Sequence, residues 1–302
     1  TMSIVVIENP VINSPFAEPT RHYRFSDEGI TNEIVPSRRT SQYFVPIAQP
    51  RKKSQFKFET EWTADRVEEN KFINYLRGRV AEWRKGGYQH ITKATRRLLE
   101  YWTNPKRERK LFFCQIEALE TALYITEVAH RVADHQIAEQ IRQANSDANP
   151  GLFRVAFKMA TGSGKTVVMA MLIAWQTLNK LANPQDARFT DTFLIVTPGI
   201  TIRDRLRVLL PNDPGNYYQE RDLLHPEEMA DLGRAKILIT NFHAFLLRER
   251  GEASKLTKEL LDQVGNGAFK ETPEQMVGRV CRALGSKKNI IVINDEAHHC
   301  YR

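Results

Sequence analysis

Residues 153–182 read FRVAFKMATGSGKTVVMAMLIAWQTLNKLA. A β-like run, Phe153–Lys158, leads into a glycine-bearing turn, after which the apolar positions of Val167–Leu181 recur at helical spacing. Strand, glycine loop and helix in that order are the setting of a phosphate-binding loop. Gly162 and Gly164 permit backbone angles that other residues avoid, so successive N–H groups can turn inward around a phosphate. A helix opening near Lys165 adds unpaired N–H groups and the positive end of its dipole. The ATP-binding candidates are therefore Thr161, Gly162, Ser163, Gly164, Lys165 and Thr166. Lys165 would set a point charge on the β- and γ-phosphates, and the Thr166 hydroxyl would face Mg²⁺. Met159 stands where the general pattern GxxxxGK[ST] has glycine. The plain alternative is a glycine-rich turn with an incidental lysine.

Downstream, the β-like runs Thr192–Val196, Lys236–Thr240 and Asn289–Asn294 alternate with helical stretches. That alternation predicts an α/β fold, a phosphate-loop domain whose parallel sheet is covered by helices on both faces. The last run delivers Asp295 and Glu296 to a strand's carboxyl end, the edge where such sheets bind ligands. Asp295 is placed to hold Mg²⁺, and Glu296 to orient and deprotonate an attacking water. Lys165, Asp295 and Glu296 are thus the catalytic candidates. A strand ending in a helix N-cap, where acids are common, is the plain alternative. His298, His299 and Cys300 are adjacent, and three neighbouring side chains converge poorly on one ion.

Upstream, one long helix is expected from Cys114 to about Ala144, closed by the turn-rich NSDANPG. Phe72, Leu76, Val80 and Trp83, and then Ile91, Thr95, Leu98 and Trp102, repeat at helical steps on either side of Gly86-Gly87, which predicts a helical hairpin. Residues 1–58 are broken by six prolines and keep only short β-like runs, such as Ile4–Ile7 and Tyr43–Ile47. The segment 252–284 has helical periodicity. Three regions follow: an irregular 1–58 with short strands, a basic hairpin and connector over 59–110, and an ATP-binding phosphate-loop domain over 111–302.

Charge is unevenly placed. The chain's net charge is +8, yet residues 51–110 hold 17 Lys/Arg against 8 Asp/Glu, and residues 111–302 balance at 23 each. This block, with Arg77, Arg79, Arg84, Lys85, Lys93, Arg96 and Arg97, is either a polyanion footprint or a solvated helical surface. No window approaches the roughly 18 apolar residues of a membrane span, and no signal peptide is evident, so no membrane partner is expected. Three scattered cysteines without CxxC spacing fit a reducing, cytoplasmic setting.

TGSGKT and Asp295-Glu296-Ala297-His298 together resemble the first motor domain of superfamily 2 helicases. LFFCQIEALET, KMATGSGKT, LITNFHAF and INDEAHHCYR, with the opening NPVINSPFAEPTRHYRF, resemble more narrowly the Res subunit of type III restriction enzymes. The resemblance implies that Gln115 reads adenine, that His298 couples the ATP site to the nucleic-acid site, and that Thr197-Pro198-Gly199, Arg203, Thr240, Asn241 and His243 meet DNA. It implies ATP and Mg²⁺ as cofactors, duplex DNA as track, a DNA methyltransferase subunit as a partner, and restriction as the output. It also implies a larger enzyme, with a second motor domain supplying an arginine finger, so the 302 residues alone are expected to hydrolyse ATP barely. A helicase without nuclease and a non-catalytic DNA-docking module remain the alternatives, as does a phosphate-loop ATPase without nucleic acid.

Overall fold

The computed structural model describes residues 7, 9–26, 29–45, 66–132, 134–148, 150–248 and 271–295. Its strands are β1 (His22–Ser26), β2 (Gly29–Val35), β3 (Gln42–Val45), β4 (Arg66–Glu69), β5 (Thr192–Thr197), β6 (Lys236–Asn241) and β7 (Ile291–Asn294). Its α-helices are α1 (Lys71–Lys85), α2 (Lys93–Trp102), α3 (Phe113–Leu123), α4 (His135–Ala148), α5 (Lys165–Ala182), α6 (Ile200–Arg205), α7 (Tyr217–Glu220), α8 (Met229–Leu232) and α9 (Pro273–Val280). Two compact units emerge. The first comprises Thr1–Ile91 and Lys110–Ser163; the second comprises Thr92–Arg109 and Gly164–Arg302. The two helices of the predicted hairpin both form, α1 in the first unit and α2 in the second. No helix among the described residues is long and apolar enough to cross a membrane.

In the first unit, β1 pairs antiparallel with β2, and β3 with β4. Helix α1 starts where the Asn70 side chain accepts the Ile73 N–H, and it buries the expected stripe of Leu76, Val80 and Trp83. It ends in a bend with Gly87, Tyr88 and His90 all at positive φ. The bend is anchored by Trp83, whose Nε1–H donates to the Gln89 carbonyl at 2.8 Å, and by an edge-on contact between the Trp83 and Tyr88 rings.

Two expectations fail in this unit. The single helix from Cys114 to Ala144 is instead α3, a π turn over Tyr124–Val128, a reversal, and α4. The break serves Asp134. Its carboxylate accepts from Arg79 Nε at 2.9 Å, Tyr124 OH at 3.0 Å and Tyr75 OH at 3.3 Å. In a continuous helix Asp134 would lie roughly 15 Å along the axis from Tyr124, out of reach. The second failure is the strand Phe153–Lys158, which pairs with no strand among the described residues. The Arg154 N–H donates to the Asn145 side chain rather than to a neighbouring strand, and Phe153 is 64 % exposed. β-propensity alone does not make a strand; it needs an adjacent backbone.

The second unit contains the parallel sheet, ordered β6-β5-β7. β5 is the centre, with Phe193 and Ile195 fully buried. Helix α5 is apolar on nearly every side and buried from Val167 to Met171 and from Ile173 to Asn179, as expected of a helix enclosed by neighbours. It packs on α2, α7, α8 and the 3₁₀ turn Leu206–Leu209. Its polar groups are matched: Trp175 Nε1 and Asn179 Nδ2 both donate to the Thr95 hydroxyl of α2, at 3.1 and 2.9 Å. The chain is thus α/β, with helices around a parallel sheet.

Candidate nucleotide site and sheet edge

The loop that opened the sequence reading has the required backbone. Gly162 lies at φ +78° and Gly164 at φ +79°, the left-handed region that side chains disfavour. A Cβ on Gly162 would meet nothing within 4 Å, so conformation and not crowding requires glycine there. In the first unit, Ser163 closes a turn by donating both its N–H and its hydroxyl to the Ala160 carbonyl, at 3.3 and 2.6 Å. In the second, Gly164 is the N-cap of α5, and Lys165 and Thr166 form the first turn of that 18-residue helix. Both are half-buried, and Lys165 has no ion-pair partner among the described residues. A left-handed cap, a helix N-terminus, a lysine and a hydroxyl suit a phosphate chain and a hard cation chemically.

Because the strands of the sheet are parallel, their carboxyl ends share one edge. β5 ends in Thr197-Pro198-Gly199, β6 in Asn241 and β7 in Asn294, followed by Asp295. The Asp295 N–H donates to the Val196 carbonyl at 3.1 Å, which extends the ladder by one residue and fixes the aspartate on this edge. Glu296 and His298 lie outside the described residues. The fold therefore brings Asp295 together with Thr197, Pro198, Gly199, Thr240 and Asn241.

These edge residues differ in how much surface they offer. Thr197 is buried, and its hydroxyl donates to the Gly199 carbonyl at 2.9 Å. Asn241 caps the following 3₁₀ turn by accepting the Ala244 N–H at 3.0 Å. His243 on that turn is exposed and stacks on Phe242, ring centres 4.1 Å apart. Arg279 of α9 donates to the carbonyls of Ala244 and Leu246 and is gripped by Glu271, so the turn is braced from behind. That arginine draws the Glu271 carboxyl down to about 2. Arg203, one turn into α6, pairs with its neighbour Asp204 at 3.0 Å and is 43 % exposed.

Gln115 is 5 % exposed, and its amide is bonded at both ends. Oε1 accepts the Phe112 N–H at 2.9 Å, and Nε2 donates to the Ser163 carbonyl at 3.0 Å. Around it lies a network that sequence reading missed. Arg38 forks onto Glu117 with two bonds of 2.6 Å. Arg84 holds fully buried Glu120 through Nε and Nη2, and Glu18 bridges the two arginines at 3.1 and 3.2 Å. Both guanidiniums lie over the Phe113 ring. Burial alone would depress the Arg84 pKa, but its bonds to Glu120 outweigh that and raise it.

The basic block is correspondingly less free than its composition suggests. Arg79 pairs with Asp134, Arg97 with Glu228 and Arg84 with Glu120. Arg107, from the basic connector, is buried and bonded to the carbonyls of Asp222, Arg109, Arg221 and Tyr101. It floors a surface cavity of about 400 Å³ that Lys106, Arg109 and Asn104 also line. Trp83 and Trp102, which stand among these arginines in the sequence, are core residues.

Residues 108–302 match the family of the type III restriction enzyme res subunit. The chain belongs to this family. The matched span begins just before α3 and takes in Gln115, the loop 159–166, the whole parallel sheet and Asp295. Membership of the Res family makes the chain part of an ATP-dependent, helicase-like motor. No match is found among curated proteins or among solved structures.

Proposed function

We propose that this chain is the ATP-binding half of a motor that hydrolyses ATP with Mg²⁺ to move on duplex DNA within a restriction enzyme. The observation that carries the reading is the loop 159–166, where two left-handed glycines run straight into a long helix whose first residues are Lys165 and Thr166. Lys165 and the amides around it hold the phosphates, while Thr166 and Asp295 hold the metal, both through oxygen. With Mg²⁺ bound, negative charge on the transferring phosphoryl group is offset. Glu296 takes the proton of the attacking water, and His298 couples the site to DNA. The edge residues Gly199, Arg203, Asn241 and His243 supply the strand contacts, with Thr197 and Thr240 shaping the backbone beneath them. The full enzyme works with a methyltransferase subunit in the cytoplasm.

The test is titration of wild-type and Lys165→Ala chains with fluorescent ATP and Mg²⁺. Loss of at least tenfold in affinity in the variant is expected. Equal binding by the two would remove the nucleotide site. Duplex-DNA affinity, read against salt, checks the second half: Arg203→Ala should weaken it and lower the salt slope by about one. An unchanged slope would favour an ATPase without nucleic acid.

A further inference from the structure

The basic connector after α2 has no part in the motor chemistry above. It is built onto the loop that follows α7, and both lie in the second unit. The Trp102 Nε1–H donates to the Leu223 carbonyl at 2.8 Å, and the Tyr101 hydroxyl donates to the Asp222 carboxylate. The Tyr101 and His225 ring centres are 4.0 Å apart. Arg107 donates from Nη2 to the Asp222 and Arg221 carbonyls at 2.6 and 3.3 Å, and from Nε to the Arg109 carbonyl at 3.2 Å. Its Nη1 donates to the Tyr101 carbonyl at 3.4 Å. Asp222 is held between these bonds at φ +53°, a conformation that a residue with a side chain keeps only when its surroundings impose it.

Arg107 is thus fixed beneath the cavity of about 400 Å³, but its charge is poorly matched. Its side chain is 4 % exposed and its partners are neutral carbonyls, while its one carboxylate neighbour among the described residues, Asp222, stands off at 3.6 Å. A buried charge so placed favours the approach of an opposite one. Four of the five guanidinium N–H groups are committed, which leaves one on Nη1. Around it, Lys106 and Arg109 are exposed, and their side chains have no ion-pair partner among the described residues. The Asn104 Oδ1 accepts the Lys106 N–H at 2.9 Å, which leaves the Asn104 Nδ2 as a further donor. Glu108, also exposed, and Asp222 are the acids of the lining, so the cavity carries a net charge of +1.

Donors and a single excess positive charge suit a phosphodiester, which has one negative charge and two free oxygens, better than free phosphate, whose charge at neutral pH is nearer two. The Tyr101 ring already carries the Arg107 guanidinium at 4.8 Å and His225, so the cavity offers a base no stacking platform. Resting on the DNA reading above, we propose that this cavity grips one backbone phosphate of the duplex through Lys106, Arg109 and Asn104, over the fixed charge of Arg107. The contact is additional to the residues at the sheet edge, and it is blind to sequence because it meets no base.

The experiment uses the 302-residue chain and a fluorescently labelled duplex, with affinity read against salt. Lys106→Gln combined with Arg109→Gln changes two exposed side chains and should leave the melting temperature unchanged. It should weaken duplex binding about tenfold and lower the salt slope by about one. Arg234→Gln combined with Lys288→Gln removes the same charge from exposed residues of the same unit that do not line the cavity, and should change affinity less than about twofold. In wild-type chain, acylation of the Lys106 amine, read by mass spectrometry, should be slowed by the duplex and not by sodium phosphate at the same phosphate concentration. Protection by sodium phosphate but not by the duplex would make this a free-phosphate site and overturn the backbone assignment. Equal losses in the two double variants would reduce the effect to overall charge and overturn the cavity. A duplex bound equally by wild type and the Lys106–Arg109 variant would overturn the cavity alone, whereas wild-type chain that binds no duplex at low salt would overturn the DNA reading itself.

Discussion

The two units solve the same problem, locking helices together, with different chemistry. Around α1 and α3 the joints are ionic: Arg84 on Glu120, Arg38 on Glu117, Arg79 on Asp134. Around α5 they are apolar, closed by neutral hydrogen bonds from Trp175 and Asn179 to Thr95. The contrast teaches that a basic stretch in a sequence is not by itself a surface for a polyanion. Several of its arginines already have carboxylates, and those carboxylates lie in parts of the chain that balance to zero. It also predicts that the two units respond differently to mutation and to acid.

The largest effect is expected in the apolar unit. Trp175→Ala empties space beside Phe189, which the Trp175 ring meets edge-on at 5.8 Å, and leaves the α2–α5 joint short of a donor. Denaturant unfolding should show a loss of about 3–5 kcal/mol. A loss under about 1 kcal/mol would mean that α5 is not the unit's keystone. Next comes Glu120→Ala, which takes from Arg84 its closest carboxylate and from the Tyr88 hydroxyl its acceptor, leaving Glu18 at 3.2 Å to pair with the arginine; about 3 kcal/mol is expected. The double change Glu120→Leu with Arg84→Met should recover most of it. If the double variant is no better than the single one, the joint depends on more than this pair.

Acid sharpens the comparison. Burial alone would raise the Asp134 pKa, but the bonds from Arg79 and Tyr124 prevail and hold it below its usual 3.8. A depressed carboxylate contributes stability that is present above its unfolded pKa and lost as pH falls through the folded one. As the pH falls below about 4, the wild-type chain should therefore lose stability that Asp134→Asn, weaker by about 1–2 kcal/mol at neutral pH, has already lost. Parallel acid titrations of the two would contradict this. The smallest effect belongs to Arg142, whose pair with Glu139 is open to water on both sides. Arg142→Ala should change stability by no more than about 0.5 kcal/mol, and a larger change would show that exposed pairs here matter as buried ones do.

Local signals made the second unit legible and left the first obscure. Continuous apolar runs marked β5, β6 and β7 to within two residues, because each run is short, unbroken and bounded by polar or turn residues; only β5 is buried on both faces. The glycine loop was legible for a similar reason: its conformational demand falls on the residues that carry the signature. The missing strand at 153–158 was illegible because its fate depends on a neighbour, not on its own residues. The break after Val128 was hidden because its cause, Asp134, satisfies Arg79 and Tyr75 more than fifty positions away. Of the candidate site, Lys165, Thr166 and Asp295 were legible as residues. The two bonds of the Gln115 amide were not, since neither Phe112 nor Ser163 contributes a side chain to them.

The register of the sheet has a consequence for how the protein is made. β5 pairs with β6 from Thr192 opposite Lys236, but its other edge waits for Ile291, opposite Phe193 and nearly a hundred positions later. On a ribosome adding about 5–20 residues per second, the most buried strand among the described residues stands with one bare edge for several seconds. Such an edge is a template for another chain. Expression at lower temperature or with chaperones in excess should therefore raise the soluble yield more than any change to the finished fold.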